Sequence, residues 1–230
     1  MTQVTPAGLA PNHDLSEREI AMSRLSRSAG LVLACLLLPA AALAQDRPEI
    51  GQVDRLEPAA GAYYQGQDRL LDPASPVFLD DTLWTGPQSR LQVKLDDGTE
   101  LTLGPAARLV VDRFAYGGAD GDAALALRRL QGAFMFGGGG IEQAPNHSVT
   151  IETGVATLGV RGTRFFAGPI DGAFGVLVID GSVEVSTDAG SVTLGPGEGT
   201  AVTSRKEPPG AVKRWPAEKV QRAMAMVGFR

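Results

Sequence analysis

The side chains able to do chemistry are few. Two histidines and one cysteine stand in 230 residues, and only His147 lies beyond the apolar N-terminal segment. A Ser-His-Asp triad on a G-x-S-x-G nucleophile elbow needs that pentapeptide, and it does not occur. His147 sits in Ala144-Pro145-Asn146-His147-Ser148, a loop composition that suits a solvated imidazole. Metal ligation needs convergent histidines, thiolates or an Asp-x-Asp-x-Asp-Gly loop, and these are missing too. The reading therefore expects no catalytic residue, no metal and no cofactor. Asp80-Asp81 and Asp96-Asp97 fall at predicted strand ends, where aspartate bonds its own backbone and accepts unusual dihedrals. Gly137 to Gly140 lacks the Lys-Ser/Thr and following helix of a phosphate loop, so it reads as a flexible connector. Tyr63 and Tyr64, in Gly-Ala-Tyr-Tyr-Gln-Gly, are the candidate recognition residues, whereas Trp84, between Leu83 and Thr85, reads as core.

Val155 to Phe166, VATLGVRGTRFF, sets Gly159 and Gly162 among β-branched and aromatic residues. Glycine inside a strand pattern marks a bulge, a corner or the close approach of another backbone. Arg161, between the two glycines, reads as a structural arginine bonding carbonyls or a carboxylate at that corner, with presentation of its guanidinium to a ligand as the alternative.

The elements that must position these residues are mostly strands. Arg90 to Leu95 alternates polar and apolar, Asp96-Asp97-Gly98 turns, and Glu100 to Leu103 alternates again, which predicts a hairpin. Val176 to Ile179 is an unbroken apolar run; Asp180-Gly181 is expected to turn it into Val183-Glu184-Val185, and Asp188-Ala189-Gly190 to turn that into Val192-Thr193-Leu194. Turn signals at this spacing predict an all-β, antiparallel sandwich or barrel-like domain of two β-meanders. Pro216 to about Met226 has a helical period, so a short C-terminal helix is expected.

Arg24 and Arg27, the apolar run Ala29 to Leu38 and the A-x-A site Ala42-Leu43-Ala44 form a signal-peptide pattern. The expectation is export to a bacterial periplasm with cleavage after Ala44; a membrane contact would follow only if the segment stays uncleaved or is lipidated at Cys35. Beyond Cys35 the chain has no cysteine, so disulfides play no part. Net charge is −5, which speaks against nucleic acid as a partner. The expected organisation is a tail and signal peptide over 1–44, an N-terminal β extension over 45–79, a β domain over 80–203, and a Pro-rich linker with the helix over 204–230.

Asp81-Thr82-Leu83-Trp84-Thr85-Gly86, Ser89-Arg90, Leu95 to Leu103, Val155 to Phe166 and Val178 to Val185, in that order, resemble the FecR domain family. The resemblance implies a periplasmic, all-β signalling module. Its signature residues here are Gly159, Val160, Arg161, Gly162, Thr163 and Phe165, with Asp97, Gly98, Asp180 and Gly181, all read as structural. Founding members relay a signal from an outer-membrane transporter to a sigma factor through an N-terminal anti-sigma domain. The stretch before the apolar segment is too short for that domain, so the reading speaks against a sigma factor. It expects instead an envelope protein or cell-wall component as partner of a non-enzymatic interaction or signalling module. Two alternatives stay open: a membrane-anchored regulator in iron-uptake-like signalling, and a cell-wall carbohydrate-binding protein using Tyr63 and Tyr64.

Overall fold

The period-two patterns become strands, and the strands join one hydrogen-bonded sheet. The computed structural model describes residues 47–117 and 121–229, so the signal pattern, Cys35 and the expected cleavage point lie outside the described residues. From Arg47 on the chain forms one compact unit. Its strands are β1 (Glu49–Glu57), β2 (Ala60–Tyr64), β3 (Gln67–Leu70), β4 (Pro76–Phe78), β5 (Thr82–Thr85), β6 (Arg90–Leu95), β7 (Glu100–Leu103) and β8 (Arg108–Ala115). They continue as β9 (Asp122–Gln131), β10 (Phe134–Gly137), a 3-10 turn (Gly140–Gln143), β11 (Asn146–Thr153), β12 (Thr157–Ile170), β13 (Ala173–Thr187), β14 (Gly190–Leu194), β15 (Glu198–Val202) and β16 (Lys213–Arg214). One helix of the described residues, α1 (Ala217–Val227), follows.

The all-β class and the short helix are found; the sandwich or barrel of two antiparallel meanders is not. The main path runs β3-β2-β5-β8-β9-β11-β12-β10-β7-β6-β1-β4 and ends in two edge strands, each paired on one side only, so the sheet does not close. β9 and β11 are parallel, which breaks the antiparallel rule. The proposed meanders interleave, because β10 leaves β9 to pair with both β7 and β12. Between the free ends β3 and β4, side chains replace a backbone ladder. Arg69 donates to the Pro76 carbonyl at 2.8 Å and to Asp81 at 2.8 Å, and Arg47 donates to Asp81 at 2.9 Å.

Asp180-Gly181 is also not a hairpin turn. The turn is Asp171-Gly172, both at positive φ (53° and 80°), the pattern that two-residue hairpins favour. β13 then runs through Asp180-Gly181 without reversing and pairs with β12 along nearly its whole length. The two Asp-Gly pairs look alike in composition, and only the pairing register separates a turn from a bulge. The hairpins β6–β7 and β13–β14 form where expected.

Alternate residues of these strands fill one core. Phe134, Phe136 and Phe165 are fully buried at its centre, with ring centroids 5.4 to 6.5 Å apart, the spacing at which aromatic pairs attract. A second, smaller cluster forms on the opposite face of β10, β12 and β13, where Met135, Phe166 and Leu177 receive Ala223 and Val227 of α1. Arg90, nearly buried, bonds Glu57 at 2.8 Å and the Ala225 carbonyl near the end of α1 at 3.1 Å. A cation at a helix C-terminus satisfies open carbonyls and the helix dipole.

Candidate functional site

The signature residues converge on a bend in the β12–β13 pair. Register slips between Arg161 and Arg164 and again before Phe165, so both strands bulge together. Gly162 has φ +57°, and Gly181 at φ +78° would place a Cβ 2.1 Å from the Gly162 carbonyl oxygen. No side chain fits at Gly181, whereas a Cβ on Gly162 would meet nothing within 4 Å, so Gly162 is explained by its left-handed φ alone. Thr163, 4 % exposed, holds the bulge closed: its hydroxyl lies 2.5 Å from the Arg161 carbonyl and 3.0 Å from that of Ser182. Val160 and Phe165, on either side, point into the core.

The glycine tract is part of this corner, not a loose connector. The Gly138 amide donates to the Thr163 carbonyl at 3.0 Å and the Gly140 amide to the Asp97 carbonyl at 2.7 Å. A Cβ on Gly139 would stand 2.3 Å from the Thr99 nitrogen. Close backbone approach, rather than flexibility, demands these glycines. Asp97 is buried and accepts from the Thr99 amide at 3.0 Å, the Thr99 hydroxyl at 2.7 Å and the Ile141 amide at 3.0 Å. It thus ties the β6–β7 turn to the 3-10 turn, while Gly98 takes the positive φ of +85° that the turn needs. Asp180 stays exposed and accepts from the Gly181 amide at 3.0 Å.

Glu142 sits between the two halves of the corner. Its Oε2 accepts from the Thr163 amide at 3.1 Å, while its Oε1 is buried without a hydrogen-bond partner. Burial pushes its carboxyl above the ordinary value, opposed by the Thr163 and Gly162 amides and by His147, and reinforced by Asp97.

Beside the corner lies a polar groove of about 370 Å³ across β11 to β14. Register fixes its floor. Thr150, Gly159, Glu184 and Thr193 form one rung across four strands, and Arg161 stands opposite Ser182 on the next. Side chains on such rungs share one face. Arg161 is exposed, and among the described residues its guanidinium forms no hydrogen bond or ion pair that closes the corner; only its backbone does so. Gly159 is unlike the corner glycines, because a Cβ there would meet only the Glu184 Cβ, at 3.9 Å. His147 lines the same groove and is half-buried, with Nδ1 2.7 Å from the Ala144 carbonyl.

The two tyrosines separate. Tyr63 is 44 % exposed, while the Arg47 guanidinium lies over the Tyr64 ring at 3.6 Å. Composition did not reveal the buried Asp81 cluster that this stacking completes; Asp81 looked like turn chemistry and is 1 % exposed. Its signal would have been Arg47 and Arg69, which are distant in sequence and meet only through the fold. Among the described residues no group of three or more His, Cys, Asp and Glu side chains could hold a metal ion.

Residues 81–184, from the buried Asp81 through the corner, match the family model described as FecR protein. This region is FecR-domain-like. No curated protein matches the chain. Two crystal structures of a proposed anti-sigma factor from Parabacteroides distasonis ATCC 8503 are similar, each 21 % identical with a TM-score of 0.48. Each covers 61 % of this chain and 62 % of the other, so the chain spans less than two thirds of those proteins. The expectation that set a sigma factor aside is withdrawn on this similarity. That expectation rested on the length of chain flanking the FecR domain, and a flank's length says nothing about what the domain's surface contacts. An all-β FecR domain is consistent with a regulatory or protein-interaction role.

Proposed function

We propose that the chain is an exported FecR-type module that regulates by binding another protein in the cell envelope, with the β11–β14 groove as its recognition surface. The observation that carries this reading is Arg161. A buried corner fixes the backbone on which it stands, yet among the described residues its guanidinium is spent on no internal bond. Unpaired polar groups on a rigid element are ready to bind, because little conformational freedom is lost on association. The signal pattern ending at Ala44 supports a periplasmic location, with Gln45 as the first residue of the mature chain.

A photo-crosslinking residue at Thr193 tests the reading in cells. The expected result is a discrete adduct that Arg161→Glu abolishes while the protein level stays constant. An adduct that survives Arg161→Glu places recognition elsewhere. Mass spectrometry of the purified protein is expected to find Gln45 at the N-terminus; an intact leader would favour a membrane-anchored regulator instead.

A further inference from the structure

The sheet path ends at β3, and the surface there is unlike the polar groove. Leu70, on this edge strand, is 71 % exposed, and Tyr63 on the neighbouring β2 is 44 % exposed. Gly61 leaves room for Trp84 of β5 to lie across β2, since a Cβ on Gly61 would meet the indole at 2.4 Å. The indole nitrogen then donates to Asp68 of β3 at 2.8 Å. Leu70, Gly61 and Trp84 form one rung, and Asp68, Tyr63 and Thr82 the next. Leu70, Trp84 and Tyr63 therefore make an apolar strip on one face, running up to an open edge.

Among the described residues, the same register leaves backbone groups at that edge unpaired. The two-residue turn pairs Tyr64 with Gln67, so in antiparallel alternation Asp68 and Leu70 direct their amides and carbonyls away from β2. Edge strands are commonly blunted by a charge facing the would-be partner. Arg69 does not serve here, because its guanidinium is turned to Asp81 and the Pro76 carbonyl.

We infer that β3 is a docking edge for an extended segment of a partner protein, added as a further strand, with a basic residue beside Asp68 and an apolar residue two positions away beside Leu70. A second copy of this chain fits poorly. Continuing the sheet across a two-fold axis keeps every side chain on its own face, so antiparallel self-pairing centred on Asp68 sets Asp68 against Asp68, centred on Leu70 sets Asp68 against Asp72, and centred on Arg69 leaves Asp68 opposite Leu70 with no countercharge. Like charges directly opposite are destabilising. A foreign strand with a basic and an apolar residue two positions apart on one face meets no such conflict, and backbone bonds plus alternate side-chain contacts are how added strands are recognised.

The test uses the full chain and three synthetic octapeptides: a Lys/Val peptide, Lys-Thr-Val-Thr repeated twice, which sets Lys and Val two positions apart on one face; a Glu/Val peptide with Glu in place of Lys; and the Lys/Val peptide N-methylated at alternate residues. Amide chemical shifts are followed during titration. The Lys/Val peptide is expected to bind saturably and move the amides of Asp68, Leu70 and Tyr63, and the N-methylated peptide to fail. Asp68→Lys is expected to weaken Lys/Val binding about three- to tenfold and to favour the Glu/Val peptide. Arg161→Glu leaves all of this unchanged, which separates the edge from the groove. No saturation at millimolar peptide, equal binding of the N-methylated peptide, shifts confined to other strands, or a dimer in sedimentation that Asp68→Lys dissolves would each overturn the inference. The wild-type comparison of plain and N-methylated peptides decides it even if Asp68→Lys fails to fold.

Discussion

Glycines gathered around the β12–β13 bend do opposite things in this molecule. In the corner, Gly181 packs against the backbone of Gly162, and Gly139 against that of Thr99. On the groove floor, Gly159 has open space above it. The same contrast holds for the charged residues: Asp97 is buried with three donors, whereas Arg161 is exposed and its guanidinium closes no corner contact. The bend thus combines a part that fixes the backbone with a part that the backbone presents.

Substituting alanine for glycine at the two places should give effects of opposite sign. Gly181→Ala adds a Cβ 2.1 Å from a carbonyl oxygen at φ +78°, combining overpacking with left-handed strain, so a loss of about 3 kcal/mol or more is expected. In a domain of this size that lowers the melting temperature by roughly 10 °C. Gly159→Ala meets no obstacle and removes freedom from the unfolded chain, so a gain of about 0.5 kcal/mol is expected. Thermal melts of both variants check the contrast. A gain for Gly181→Ala, or a large loss for Gly159→Ala, would erase the distinction between corner and floor.

Much of this was legible in the residues. The hairpin around Asp97-Gly98 and the C-terminal helix follow from period and turn chemistry, which are local. What stayed hidden depends on pairing between distant strands. Asp180-Gly181 has the composition of a hairpin turn and is a bulge, because its partner is the Gly162 bulge of β12. Gly137 to Gly140 has the composition of a linker, but Asp97 and Thr163 hold it in place. Sheet order, and with it the open edge at β3, is also non-local, since the crossing of β10 from β9 to β7 leaves no periodic trace. Arg161 shows the limit at the site: its place in the motif was evident, but which way its guanidinium faces depends on the bend.

Glu142 should give the smallest effect, and it reports whether corner and groove are coupled. Burial raises its folded carboxyl above the ordinary value of 4.5, so the folded state binds a proton that the unfolded chain has already released. Stability from this group is therefore fully present below the unfolded value and lost as pH rises through the raised folded value. Glu142→Gln keeps an oxygen for the Thr163 amide and cannot ionise. The melting temperature of the variant relative to wild type should be constant in acid, climb across the window just above 4.5, and level off toward neutral pH. Asp171 provides a control of opposite sign, because Lys219 and Arg222 hold its carboxyl below the ordinary value. Stability from Asp171 is present above its unfolded value and lost as pH falls through the depressed folded one, so Asp171→Asn should alter only the acid limb. A pH-independent difference between Glu142→Gln and wild type would mean that its half-buried carboxylate is already solvated. Comparison of the Arg161 amide shift in the two proteins across the same window then shows whether the corner transmits that proton to the groove.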